Sequence, residues 1–93
     1  MILIIGRLQI QADKVAEFQA FARRIVEAER RVEGCIGFEM SQDVVQADRF
    51  VMIEQWRDRA ALDHHLSTPE FADSEASLTA FLAAEADWVE YEV

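Results

Sequence analysis

The sequence predicts an α+β domain in which a four-stranded antiparallel sheet carries its helices on one face, in the order β-α-β-β-α-β. Three observations lead there. Four short segments are rich in β-branched or alternating apolar residues, two longer ones show apolar residues at helical spacing, and two of the strand-like segments follow each other directly between residues 35 and 56. With 93 residues, three glycines and one proline, the chain has room for one domain, residues 1–93, and little for long loops.

The opening ILIIGRLQI sets Ile2 and Ile4 against Leu3 and Ile5 on alternating faces, which predicts a strand covered on both sides. From Asp13, which offers an N-cap, Val15, Phe18, Ala22, Ile25, Val26 and Val32 fall mainly at helical spacing until Gly34 supplies a stop. CIGFEMSQ then alternates, with Ile36, Phe38 and Met40 on one face and Cys35, Gly37, Glu39 and Ser41 on the other. DVVQAD supplies the turn into RFVMIEQW, a strand with Phe50, Met52, Glu54 and Trp56 opposite Val51, Ile53 and Gln55.

Asp58 caps a short helix whose inward stripe is Leu62, His65 and Leu66. Thr68 and Pro69 restart the helix as N-cap and first helical residue, and Phe71, Leu78, Phe81 and Leu82 face inward with Glu75 on the same stripe. DWVEYEV closes the chain as a strand. The order is that of a ferredoxin-like sheet with its second helix broken. Helices on one face leave apolar residues on the other uncovered, so the expected cover is a second copy of the chain, giving a homodimer packed sheet to sheet.

Charge narrows the partners. A formal charge of −9 opposes polyanions, which disfavours nucleic acid. Arg23, Arg24, Arg30 and Arg31 are interleaved with Glu27, Glu29 and Glu33, the pattern of a solvated, salt-bridged helix face. No apolar run approaches the roughly 20 residues of a membrane span, and the opening lacks a signal-peptide pattern, so no membrane is expected and the expected location is the cytoplasm. Cys35, the single cysteine, reads as a buried thiol in a reducing compartment.

Of the two histidines, adjacent in Asp63-His64-His65, only His65 lies on the apolar stripe, facing the sheet near Trp56. An imidazole there suits a general base, since it changes charge near neutral pH. It also suits a core residue whose nitrogens are satisfied by backbone or by Glu54 or Glu75. His64 points about 100° away, toward solvent. Adjacent helical histidines do not converge on one metal, and neither a nucleophile elbow nor a glycine-rich phosphate loop is present. Glu54 and Glu75 sit on otherwise apolar stripes, where burial would raise their pKa and fit them as acid, base or partner of His65. Trp56, Phe71, Phe38 and Met40 suit the walls of an aromatic site or ordinary core packing.

VMIEQW, ending at Trp56, followed by Ala61-Leu62, His65-Leu66 and Thr68-Pro69, resembles the antibiotic biosynthesis monooxygenase family, most closely its quinol monooxygenase branch. The helix ending in Glu33-Gly34-Cys35 before a strand is similar to it as well. The resemblance implies a dimeric α+β barrel with a pocket between sheet and helices. It also implies oxidation of a small aromatic phenol or hydroquinone by dioxygen without metal, flavin or haem cofactor. By position it makes His65 the base, Trp56 the strand-end tryptophan and Glu54 a catalytic acid two residues earlier; Trp56, Phe71, Phe38, Met40 and Glu75 are the expected substrate-binding residues. Glu70 stands where many relatives carry a histidine after Thr-Pro, and haem-degrading members carry tryptophan and histidine where this chain has His65 and Glu75. Two other readings keep the pocket: binding or sensing without turnover, and isomerisation or processing of a small sugar-derived signal.

Overall fold

A computed structural model describes residues 1–93. Strand β1 (Ile2–Gln9) runs between β3 (Arg49–Trp56) and β4 (Asp87–Glu92), and β2 (Cys35–Gln42) lies outside β3, so the sheet order is β2-β3-β1-β4 with every pair antiparallel. Helices α1 (Val15–Glu29), α2 (Arg59–Leu66) and α3 (Pro69–Phe81) complete the ferredoxin-like order. A short 3₁₀ turn over residues 12–14 precedes α1 and contains Asp13, whose side chain caps nothing. The expected cap is thus replaced by a tighter entry turn.

Helices α2 and α3 start where the caps were expected. Asp58 accepts from the Ala61 amide at 2.8 Å, and Thr68 Oγ1 accepts from the Phe71 amide while its hydroxyl donates to the His65 carbonyl at 2.8 Å. These bonds satisfy amides that the first helical turns leave without partners. Gly34 closes the turn after α1 with φ +86°, and a side chain there would also strike Ala61, which leaves glycine as the fitting residue.

On the helix-facing side, even-numbered residues of β1, β3 and β4 form rows across the sheet. One row is Phe38, Glu54, Ile4 and Glu90; the next is Met40, Met52, Gly6 and Trp88. In β2 a register shift between Cys35 and Gly37 breaks the simple alternation. Cys35 consequently packs against the core, while Ile36, expected beside Phe38 and Met40, is 57% exposed.

Two apolar clusters hold the helices down. The larger joins Leu8, Ile10 and Phe50 of the sheet side to Phe18, Phe21 and Ala22 of α1 and Leu78 of α3. Phe18 is its hub, with edge-on contacts to Phe50 and Phe81 at centroid distances of 4.7 and 5.4 Å. The smaller cluster is Ile2, Trp56 and Leu62 at the other end of the strands. On the opposite face Leu3, Ile5, Val51, Ile53 and Val89 are half-buried and Tyr91 is exposed, an apolar surface with no element of this chain over it. No helix is long and apolar enough to cross a membrane.

Candidate active site

Between the two clusters the layers do not close. A cavity of about 280 Å³ remains, floored by the Phe38, Glu54, Ile4 and Glu90 row with Met52 and Trp88. Its roof is Phe21, Ile25 and Glu29 from α1, His65 and Leu66 from α2, and Phe71, Ser74, Glu75 and Leu78 from α3. Gly6 matters to this floor, because the Trp88 ring lies across it so closely that a Cβ would sit 2.3 Å from the indole.

His65 is buried and clamped between aromatic rings. Trp56 stacks on it at 4.8 Å with planes 24° apart, and Phe71 meets it edge-on at 5.4 Å. His64, one residue earlier, is exposed, as its angle around α2 requires.

The carboxylate against His65 is neither Glu54 nor Glu75. It is Glu29, whose Oε2 lies 2.7 Å from His65 Nε2 with both side chains buried. This overturns the reading of Glu29 as part of a solvated charged face. The spacing Ala22, Ile25, Glu29 continues the inward stripe of α1, a periodic signal that outweighs residue type here. The approach is short but is not a regular hydrogen bond, and Oε2 is sealed from solvent without one.

Electrostatics follow from that burial. Loss of water pushes the Glu29 carboxyl up to about 7, reinforced by the charge of Glu54. Burial pushes His65 down, with His64 adding to the shift. Glu54 is raised by burial too, opposed by the hydrogen bond it accepts from Trp56 Nε1 at 3.0 Å. An ion pair at 2.7 Å would shift Glu29 and His65 the other way, but with both groups out of water desolvation outweighs it. Two groups this close titrate as a coupled pair.

Other expected site residues separate. Glu54, Phe38, Phe71 and Glu75 reach the cavity, Glu75 from its exposed rim. Trp56, expected to wall the ligand, is 0% exposed and stands behind His65 instead of on the cavity wall. Met40 turns toward an open groove between α1 and β2, because its row continues past the cavity toward the sheet edge. Leu66, expected inward, is 43% exposed at the cavity margin. Trp88 and Glu29 are among the cavity residues that sequence reasoning missed. No three His, Cys, Asp or Glu side chains gather as a metal-binding set.

Comparison with known proteins places this geometry in a family. The chain is 37% identical over 70 residues to an uncharacterized protein of Synechocystis, aligning 75% of this chain and 48% of that one, so it spans about half the length of that relative. It is 30% identical over 93 residues to YcnE of Bacillus subtilis, which carries a provisional monooxygenase name, covering 100% of this chain and 98% of that one. A crystal structure from Deinococcus radiodurans, provisionally named an antibiotic biosynthesis monooxygenase, superposes with a TM-score of 0.90 at 25% identity, over 100% of this chain and 92% of that one. The family model described as antibiotic biosynthesis monooxygenase matches residues 1–77, and the chain belongs to that family.

Proposed function

We propose that this protein oxidises a small phenol or hydroquinone with dioxygen, with His65 as general base and Glu29 as the carboxylate that holds the imidazole and its proton. The observation carrying this reading is the 2.7 Å contact between them on the wall of an aromatic-lined cavity. Membership of a monooxygenase family supports the reaction type. A neutral imidazole, as burial favours for His65, takes the hydroxyl proton, and an ionised Glu29 stabilises the imidazolium that results.

The substrate itself supplies the electrons. Loss of the proton makes the ring an electron-rich anion that reduces dioxygen, and a C–O bond forms at a ring carbon to give a hydroperoxide. The hydrogen on that carbon then leaves as a proton while the O–O bond breaks, leaving a carbonyl and releasing water. For a hydroquinone the balance is hydroquinone plus dioxygen giving hydroxyquinone plus water, with no outside reductant. Phe38, Phe71 and Trp88 keep bulk water from the anion, and Trp56 holds the His65 ring from behind.

The uncovered sheet face, Leu3, Ile5, Val51, Ile53, Val89 and Tyr91, supports a homodimer as the working form, packed face to face. Oxygen uptake with benzohydroquinone and naphthohydroquinone tests the reaction. His65→Ala is expected to lower the rate by roughly 10²–10⁴-fold, the range for loss of a positioned base. Equal rates for the variant and wild type would remove His65 from the chemistry. Aromatic binding with no oxygen uptake by the wild type would reduce the site to a receptor.

A further inference from the structure

We propose that the cavity selects uncharged one- or two-ring hydroxyarenes and turns away their carboxylated or phosphorylated counterparts, with Glu75 at the rim as the specificity-determining side chain. This rests on the oxidation site described above and names its substrate class. The ionisable side chains lining the cavity are four glutamates, Glu29, Glu54, Glu75 and Glu90, and one histidine; neither lysine nor arginine contributes to the wall.

The cation paired with the cavity wall at Glu90 is not free to receive an anion. Arg59 at the mouth donates to both carboxylate oxygens of Glu90, with 2.7 Å for the shorter bond, and lies 3.7 Å from Glu92 and 3.9 Å from Asp63. Those contacts neutralise Glu90 and spend Arg59. Glu75 has no such counter-charge within salt-bridge distance, while Glu54 deeper in is tied only to the Trp56 indole. An entering anion therefore passes an unpaired carboxylate at the exposed rim toward two more in the interior, where little water screens them.

Size sets the other limit. About 280 Å³ lies just below the roughly 300–1,000 Å³ of pockets that take drug-sized ligands, a size suited to one or two fused rings. The ten hydrophobic residues among the sixteen lining ones favour the flat apolar part of such a molecule.

Calorimetric titration under nitrogen at pH 7.5 separates charge from shape by using 6-hydroxy-2-naphthamide and 6-hydroxy-2-naphthoate, which differ in little but the charge. The wild type is expected to bind the amide at least about ten-fold more tightly, and Glu75→Gln to shrink that ratio several-fold. Glu54→Gln provides a second, interior test of the same ratio. Equal or tighter binding of the carboxylate, or failure to bind either compound, overturns the proposal. Amide binding with the expected preference but no oxygen uptake on readmitting air would retain the selectivity and reject the oxidation.

Discussion

The two ends of the space between helices and sheet are built to opposite rules. At the Phe18 end, aromatic rings from α1, α3 and β3 interlock and nothing ionisable intrudes. At the Trp56 end, α1, α2 and the same sheet bury Glu29 and His65, half-bury Glu54 and leave a void beside them. Close packing stabilises the first end; the second gives up stabilisation to keep charge-bearing groups out of water and in reach of a guest. One end anchors the fold so that the other need not.

The strongest way to break this contrast is to hollow out the anchored end. Phe18→Ala removes the hub of the large cluster and is expected to cost about 3–5 kcal/mol in urea unfolding. A loss below about 1 kcal/mol would mean that the two ends share the stabilising role.

Glu29→Gln reverses the logic at the other end. The Glu29 carboxyl is favoured protonated in the fold, with a pKa of about 7 against an ordinary value of 4.5. The stability this confers is complete below the unfolded value and is lost as pH rises through about 7, a swing of at most about 3 kcal/mol. Glutamine stays neutral, so the variant is expected to match the wild type near pH 5 and exceed it by about 1–3 kcal/mol at pH 9, in parallel thermal or urea melts. Activity should move oppositely: wild-type kcat/KM climbs as pH rises through about 7, because the ionised form of Glu29 holds the imidazolium, and the variant falls roughly a hundredfold and loses that limb. A variant with the wild-type pH profile would exclude Glu29 from proton handling.

The smallest expected effect concerns the helix that carries His65. Asp58→Ala removes the cap of α2 and is expected to cost about 1 kcal/mol. Hydrogen exchange should quicken in α2 and stay unchanged in α1; uniform quickening would show the two ends melting together.

Local rules made most of the fold legible. Gly34, Asp58 and the Thr68-Pro69 pair each do locally what their chemistry predicts, so strand and helix order could be read directly. Ile36 was misplaced because a bulge shifts the parity of a strand, and the only residue type that hints at it is Gly37 beside it. At the site, the inward turn of His65 was readable from its spacing to Leu62. Its partner was hidden by chemistry: a glutamate among arginines reads as surface, and only the helical phase set by Ala22 and Ile25 tells otherwise. Trp56 and Met40 were placed on the right face of the sheet, yet the void lies between them along the strands, a dimension that alternation does not encode.

Gly6 gives the molecule a built-in optical contrast. With no side chain beneath it, the Trp88 indole rests on bare backbone at the cavity floor, 46% exposed, while the other indole, Trp56, is wholly enclosed. Their emission colours should differ, red for the first and blue for the second, so a guest entering the hollow would quench the red component selectively and report its own arrival without any added label.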